Sequence, residues 1–398
     1  FKRKEIVMAK KYIALILVLC MACMALAGCG STTEAPAQDA GTTEVVEEKG
    51  SDFVIGLSNN VIGNSWRAQF LQGVDDARER LVAEGLVKDI IVANCDSDLN
   101  KQLDDINAMI QDGCDAILIN AVSETALSEV IAKAVDAGIQ VYIINDAAAY
   151  EDTIAIIGDA EGVWEPVVRY FAESYPEEGG NYIYISGVPG LSTDTARTNV
   201  VEKVMAEYPN ITCLGTGAGN YNAADTQEAV LNLLSANSGV TIDGLLCQES
   251  AVDAAIAAFE TAGVDYPKFI TGDSSVLFYN NWYENFHDSR VCSTAFPTST
   301  AYNACMMAAY ALNGYEWDTS KFEPNPMNPD LKNAVLMQSP YVVANETPTG
   351  DEVWLQGTDI SKSTLLSIDE AHELMADMPE SAIFDRYLTD EEILSYFK

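Results

Sequence analysis

The stretch DAILINAVSETALSEVIAKAVDAGIQVYIIND, residues 115–146, decides the fold. It opens with a short apolar run, continues with apolar residues at helical spacing to an Ala-Gly pair, and ends in a second apolar run. Two continuous apolar runs joined by a helix predict parallel strands that are buried on both faces of a sheet. The stretch therefore predicts a β-α-β unit with Asp146 at the carboxyl end of its last strand.

The same alternation extends in both directions along the chain. Strand-like apolar runs separated by helical stretches occur at 53–58, 89–95, 181–187, 211–217, 242–248 and 268–273. Strands that alternate with helices predict an α/β fold with parallel sheets that are covered on both faces.

Residues 242–273 repeat the deciding stretch with only small changes in length, and Asp273 then matches Asp146. Ligands of open parallel sheets bind beyond the carboxyl ends of the strands, and clefts between domains favour small ligands. The repeat therefore predicts two similar lobes with both aspartates facing one cleft. Chance similarity between two β-α-β units is the alternative, because Ala-Gly commonly ends a helix.

The composition excludes several classes of function. The 398 residues include 22 Lys and Arg against 60 Asp and Glu, so the net charge is −38 and nucleic acid is not a partner. A hydrophobic content of 48% excludes a disordered acidic polymer. His287 and His372 have no Cys or His at zinc spacing, so no metal is expected. The run GTGAG at 215–219 lacks the GxGxxG spacing, so no cofactor is expected.

The amino-terminal segment has the features of an export signal. Five basic residues within the first eleven precede an apolar run that ends in Leu-Ala-Gly-Cys at 26–29. This order predicts a signal peptide over residues 1–28, with a short transmembrane anchor as the alternative. Residues 29–52 are rich in small and acidic residues without an apolar period and predict a disordered tether.

The Leu-Ala-Gly-Cys tetrad resembles the lipobox of bacterial lipoproteins, which implies a lipid on Cys29 and contact with the membrane through that lipid alone. Six further cysteines remain after the signal is removed, none in a CxxC pair, and their redox state is left open. They are Cys95, Cys114, Cys213, Cys247, Cys292 and Cys305.

From Phe53 to Gly314 the chain resembles the type I periplasmic-binding-protein family, the ribose- and galactose-like class. The segments that carry the resemblance are GLSNNVIGNSWRAQFLQGV (56–74), NKQLDDINAMIQDGCDAILIN (100–120), AGIQVYIIND (137–146), ISGVPGLSTDTARTNVVEKVMAEYPNI (185–211) and ITGD (270–273). The resemblance implies two doubly wound parallel-sheet lobes joined by a three-segment hinge.

The resemblance also implies domain boundaries. The N-terminal lobe would comprise 53–150 plus 298–338, and the C-terminal lobe 151–297. Residues 339–398 would form a hinge return and a C-terminal extension. The hinge segments are expected near 147–160, 293–298 and 338–345.

The family's ligand contacts transfer to eight positions of this sequence. They are Asn64, Trp66, Arg67 and Asp146 in the first lobe, and Arg197, Tyr221, Gln248 and Asp273 in the second. Aromatic rings stack on the apolar faces of a sugar, and Asp and Arg form charge-assisted hydrogen bonds with its hydroxyls. Two Asp and two Arg nearly cancel in charge, which favours an uncharged ligand.

Several of these positions also have a structural interpretation. Asp146 and Asp273 could cap helices or form turns, and Trp66 could be a core residue. Arg197 could pair with Asp194 on a helix surface.

Two positions depart from the ribose-type pattern. Ala147 follows Asp146 where the family has Arg, and Ala295 stands two residues before Pro297 where Gln is frequent. The loss of two polar contacts disfavours ribose and favours a larger or less hydroxylated ligand against Phe296.

The resemblance implies a monomeric, non-enzymatic solute-binding lipoprotein outside the cytoplasmic membrane. It would bind a sugar or polyol by hinge closure and deliver it to an ABC permease. Two alternatives stay open: a ligand-loaded sensor that docks a receptor ectodomain, and an exported glycan hydrolase with paired carboxylates.

Overall fold

A computed structural model describes residues 52–248 and 251–398. The expected signal peptide, Cys29 and nearly all of the expected tether lie outside the described residues. No helix in the described ranges is long and apolar enough to cross a membrane. The six cysteines within them have free thiols, and Cys213 is the exposed one.

The described residues form two sheets of seven strands each. The strands are β1 (Val54–Asn59), β2 (Asp89–Asn94), β3 (Ala116–Ile119), β4 (Gln140–Asn145), β5 (Ile154–Gly158), β6 (Gly180–Ser186), β7 (Ile211–Ala218), β8 (Gly244–Cys247), β9 (Phe269–Thr271), β10 (Arg290–Thr294), β11 (Glu323–Asn325), β12 (Asn328–Met337), β13 (Tyr341–Ala344) and β14 (Thr364–Ser367).

Helices cover both faces of the two sheets. They are α1 (Ser65–Ala83), α2 (Leu99–Gln111), α3 (Ser128–Asp136), α4 (Ala160–Glu173), α5 (Ser192–Met205), α6 (Ala223–Ala236), α7 (Val252–Ala262), α8 (Val276–Asn285), α9 (Thr300–Leu312), α10 (Ile368–Met375) and α11 (Asp390–Leu394).

The strand order of the two sheets confirms the predicted α/β architecture. The first sheet runs β11-β12-β5-β4-β3-β1-β2 and the second β14-β13-β10-β9-β8-β6-β7. The deciding stretch (β3-α3-β4) and its repeat (β8-α7-β9) therefore occupy equivalent positions in the two sheets. Ten of the pairs between strands are parallel, and the antiparallel ones are β11–β12 and β10–β13.

Strand β3 shows why its sequence is apolar without alternation. Ala116 and Leu118 belong to one hydrophobic cluster, whereas Ile117 and Ile119 belong to a second cluster on the other face. A strand that is buried on both faces needs apolar side chains at every position. The second lobe likewise has two clusters.

The chain crosses between the lobes at the three expected places: after β5, between β10 and α9, and between β12 and β13. It then crosses a fourth time near residue 384. Phe384 packs in a cluster of the second lobe, whereas Ile393 and Phe397 pack in the core of the first. The terminal helix α11 has Thr389 as its N-cap, and the Thr389 side chain accepts from the Glu392 backbone N–H.

The strand pairing places two boundaries between the lobes differently from the prediction. Strand β5 pairs with β4 and β12, so the first crossing follows Gly158 rather than residue 150. The segment 339–398 is divided, because β13, β14 and α10 complete the second lobe and α11 completes the first. The connection between β4 and β5 contains no helix.

Candidate functional site

A cavity of about 370 Å³ lies between the two lobes. Its first-lobe wall comes from the segments that follow β1, β3 and β4, and its second-lobe wall from α5 and the turn after β7. Phe296, from the second crossing, also lines it. Six of the eight predicted contact residues line this cavity: Asn64, Trp66, Arg67, Asp146, Arg197 and Tyr221.

Asn64 positions the aromatic side of the first-lobe wall. It is the N-cap of α1, and its side-chain oxygen accepts a hydrogen bond from the Arg67 backbone N–H at 2.7 Å. Trp66 lies in the first turn, stacks on Phe70 at 5.4 Å between ring centroids, and donates from Nε1 to the Phe296 carbonyl at 2.8 Å. Trp66 therefore belongs to the core and lines the cavity at the same time.

Arg67 and Asp146 form the polar part of the same wall. The Arg67 guanidinium is buried and lies 4.9 Å from the Trp66 ring and 4.8 Å from the Phe70 ring. Burial lowers the pKa of Arg67 to about 10, and the charge of Asp146 acts in the opposite direction. Arg67 is consequently still charged at neutral pH.

The Asp146 carboxylate accepts several hydrogen bonds. Oδ2 accepts from the side chains of Asn145 at 2.9 Å and Asn60 at 3.3 Å, and Oδ1 accepts from the Thr193 hydroxyl at 3.0 Å. The Asn120 amide satisfies its neighbours when its oxygen faces Arg67 and its nitrogen faces Asp146. Thr193 lies in the other lobe, so its bond to Asp146 links the two walls directly.

The second-lobe wall is built around a buried guanidinium. Arg197 of α5 is buried, with its guanidinium carbon 5.2 Å from the Phe296 ring and 5.9 Å from the Tyr221 ring. The Tyr221 hydroxyl donates to Gln248 Oε1 at 2.7 Å, and Gln248 Nε2 donates to Asp194 at 3.0 Å. Gln248 therefore lies behind Tyr221 and holds its ring in place.

Asp273 lies outside the group that lines the cavity. Its carboxylate accepts hydrogen bonds from the backbone N–H groups of Ser274 at 2.6 Å, Ser275 at 3.3 Å and Val252 at 3.3 Å. This is the turn and helix-cap geometry that the sequence left as the alternative. Asp146 directly follows β4, whereas Asp273 stands two residues beyond β9, so equivalent strands do not give the two carboxylates equivalent directions. Ligand contact by Gln248 and Asp273 stays a prediction.

The backbone around the cavity adopts uncommon conformations. Ser97, Asn145, Asn220 and Tyr221 line it with φ values between 53° and 67°. Left-handed conformations at non-glycine residues are concentrated at ligand sites, where the surrounding structure enforces them. The conformation at Tyr221 helps to place its ring against the adjacent strand end.

Two glycines provide room for the aromatic residues of the cavity. A Cβ at Gly187 would lie 2.0 Å from the Tyr221 ring, and one at Gly158 would lie 2.2 Å from the Phe296 ring. Neither position can carry a side chain without displacing its ring.

Several lining residues were not predicted, among them Asn60, Asn145 and Thr193. Asn60 and Asn145 stand at the carboxyl ends of β1 and β4, where the rule for ligand position in parallel sheets points. Thr193 precedes Arg197 by four residues and so shares its helix face. Within the described ranges, no group of three or more His, Cys, Asp and Glu side chains could bind a metal.

Residues 55–316 match the family model described as a periplasmic binding protein domain. The chain belongs to this family. Membership implies an extracytoplasmic location, because domains of this family work in the periplasm.

Two characterised proteins are similar in sequence. The ribose import binding protein of Bacillus subtilis (strain 168) is 24% identical over 187 residues, which are 47% of this chain and 53% of that protein. A xylitol-binding protein of Mycolicibacterium smegmatis is 25% identical over 179 residues, which are 44% of this chain and 50% of that protein. The match thus spans about half the length of these relatives, and both are named as binding proteins rather than enzymes.

Solved structures have the same fold. An ABC transporter solute binding protein from Thermobispora bispora superposes with a TM-score of 0.61 at 24% identity, covering 78% of this chain and 90% of the other. The two-lobed architecture of the type I periplasmic binding proteins is therefore shared.

Proposed function

We propose that this protein is an extracytoplasmic solute-binding protein that holds a sugar or polyol in the cavity between its lobes. The observation that carries the proposal is the convergence of Arg67 and Asp146 from one lobe with Arg197 and Tyr221 from the other. A carboxylate accepts and guanidinium groups donate charge-assisted hydrogen bonds, which match a molecule whose edges are hydroxyls. The rings of Trp66 and Tyr221 offer faces for its C–H surfaces.

The relatives support this ligand class, since one is named for ribose import and the other for xylitol binding. The ligand of this chain differs from ribose, because alanines occupy positions 147 and 295. Phe296 adds an apolar face to the cavity in their vicinity. A ligand that exchanges some hydroxyls for apolar surface fits this lining.

Binding would proceed by closure of the lobes. The Thr193–Asp146 bond joins the walls across the cleft, so it exists only when the lobes are closed. A ligand that contacts both walls binds the closed form more tightly and shifts the equilibrium toward it. Closure would be the signal that a partner recognises.

The proposed partner is the permease of an ABC importer, which receives the ligand from the closed protein. The lipobox-like sequence at 26–29 supports attachment to the membrane through a lipid on Cys29. We expect the protein to act as a monomer. A glycan hydrolase of the usual type needs two carboxylates that flank the scissile bond. Among the described residues that line the cavity, Asp146 is the one carboxylate.

A thermal-shift screen against monosaccharides, polyols and nucleosides tests the proposal. A ligand at 100 times its Kd adds about 2.7 kcal/mol to the free energy of unfolding. Asp146→Ala in one lobe and Arg197→Ala in the other should each abolish the shift. Arg78→Ala, at an exposed ion pair with Asp89, should leave it unchanged.

The proposal fails if no sugar or polyol raises the melting temperature, or if both cavity variants respond as the parent protein does. Release of reducing ends from glycans would instead support the hydrolase.

A further inference from the structure

A second and larger chamber adjoins the cavity. It has a volume of about 660 Å³ and is also lined by both lobes. Asn145 and Thr193 line both spaces, so the chambers meet at these two residues. We refer to the 370 Å³ cavity as the inner chamber and to this space as the outer chamber. The hydrogen bond from Thr193 to Asp146 lies at their boundary.

The outer chamber has a wall that comes from the β11–β12 hairpin. Pro326, Met327 and Pro329 at the tip of the hairpin line it. Asn325 and Asn333 anchor the hairpin, donating to the carbonyls of Ala148 at 3.1 Å and Thr153 at 3.0 Å in the connection between β4 and β5. The hairpin is therefore tied to the segment that follows Asp146, and its tip is held beside the cleft.

The charges of the outer chamber are all negative. Its charged lining residues are Glu124, Asp159 and Glu161. Burial raises the pKa of Asp159, and the nearby charge of Glu161 acts in the same direction. A carboxylate or phosphate group would be repelled here, whereas hydroxyl groups would find acceptors. The inner chamber, lined by Arg67, Arg197 and Asp146, carries more positive than negative charge.

We propose that the cleft binds a ligand of two units, a disaccharide or a glycoside, rather than a single sugar ring. One unit would occupy the inner chamber and the other the outer chamber, with the linkage beside Thr193. The outer unit would be uncharged or cationic, since three carboxylates line its chamber. This proposal rests on the proposed function and specifies the size and charge of its ligand.

The size of the two spaces supports the proposal. Ligand pockets measure about 300–1,000 Å³, so each chamber alone is large enough to hold a sugar-sized group. The linking oxygen would lie beside the Thr193 side chain, whose bond to Asp146 stays in place. Asp146 would then accept from a hydroxyl of the inner unit.

Calorimetric titration of the purified protein tests this assignment. The probes are D-xylose, D-glucose and D-galactose, and the matching disaccharides xylobiose, cellobiose and lactose. In the parent protein, we expect one disaccharide to bind at least about tenfold more tightly than its monosaccharide, a difference of about 1.4 kcal/mol.

Ala196→Phe narrows the outer chamber alone, because Ala196 lines that chamber and not the inner one. It should remove the advantage of the disaccharide and leave monosaccharide binding intact, which also shows that the variant is folded. Ala206→Phe, at the exposed C-cap of the same helix, is the matched control. Met327→Trp fills the chamber from the hairpin side and serves if Ala196→Phe does not fold.

Binding of monosaccharides without any gain for disaccharides would overturn the two-unit assignment and leave the proposed function standing. The same holds if both chamber variants keep the full disaccharide advantage. If neither monosaccharides nor disaccharides bind, the proposed function and this inference fall together.

Discussion

Asp146 is the side chain at which the two lobes meet. Its two oxygens accept hydrogen bonds from Asn60 and Asn145 of the first lobe and from Thr193 of the second. Donors therefore surround it, and the buried guanidinium of Arg67 lies close enough for the charge of Asp146 to act on it. We propose that the residue combines ligand recognition with closure of the cleft.

Asp146→Asn tests the need for an acceptor at this position. The substitution keeps the volume but turns one oxygen into a donor that faces other donors. We expect a loss of affinity of at least about tenfold for the ligand, because a charge-assisted bond contributes about 1.5–3 kcal/mol. Titration calorimetry measures the loss, and Asp136→Asn on the surface is the control. Unchanged affinity would place Asp146 outside the binding site.

The raised pKa of Asp253 leads us to expect that the stability of the protein depends on pH. Burial raises its pKa to about 7, and the neighbouring carboxylate of Asp273 acts in the same direction. Between about pH 4 and 7 the folded carboxyl keeps a proton that the unfolded one releases, so its contribution to the free energy of unfolding falls as the pH rises through this window. Above pH 7 the buried charge destabilises the fold.

Asp253→Asn should therefore be more stable than the parent protein at pH 8, by up to about 4 kcal/mol at roughly 1.4 kcal/mol per pKa unit. The difference should shrink as the pH is lowered from 7 to 4. Urea denaturation at pH 5 and pH 8 measures it, with Asp265→Asn as an exposed control. A stability difference that does not change with pH contradicts this explanation.

At the scale of elements, helix α9 depends on a residue from the far end of the chain. Its N-cap residue, Ser299, makes no side-chain capping bond. Asp385 supplies the missing acceptor, since its Oδ2 accepts from the Ser299 backbone N–H at 2.7 Å and from the Thr298 hydroxyl at 2.9 Å. A negative charge at a helix N-terminus also interacts favourably with the helix dipole.

Asp385→Ala should lower the free energy of unfolding by about 1–2 kcal/mol, because it leaves buried donors at the start of α9 unpaired. Asp377→Ala, exposed on the preceding segment, is the control. Chemical denaturation monitored by circular dichroism measures both. Equal stability of the two variants would show that α9 needs no cap from the tail.

How well each element could be predicted depends on the range of the interactions that form it. Strands β3 and β4 with α3 follow from local apolar periodicity, and so does the cap of α11. Strand β5 was not predicted, because its place in the sheet depends on pairing with β12, which lies far along the chain, as well as with β4. Asp273 was placed by analogy with Asp146, but one extra residue, Gly272, separates it from its strand, and its carboxylate accepts from the backbone of the following turn.

The fourth crossing of the chain affects how the two lobes are held together. Gln69 of α1 donates to the Ile383 carbonyl and accepts from its N–H, and Tyr387 stacks on Tyr302 with ring centroids 4.0 Å apart. These contacts join residues more than 80 positions apart, so no local sequence pattern predicts them. The tail ties the second lobe to the first beside the three hinge segments and should limit how far the lobes open.

Thr193→Val removes the direct hydrogen bond between the lobes while keeping the shape of the side chain. The closed form loses about 1 kcal/mol of stabilising free energy. This loss corresponds to about a fivefold faster dissociation of the ligand. Association should change little, since the open form lacks this bond. Stopped-flow measurements separate the two rates, with the exposed Thr261→Val as control. An unchanged dissociation rate would mean that this bond plays no part in closure.

We propose that one ligand is held by both lobes at once. The most direct measurement is a crystal structure of the complex with the sugar that the thermal screen identifies. We predict that the sugar lies between Asp146 and Arg197, in hydrogen-bond contact with both side chains. A sugar bound to one lobe alone, or outside the cavity, would show that the two lobes do not share one ligand.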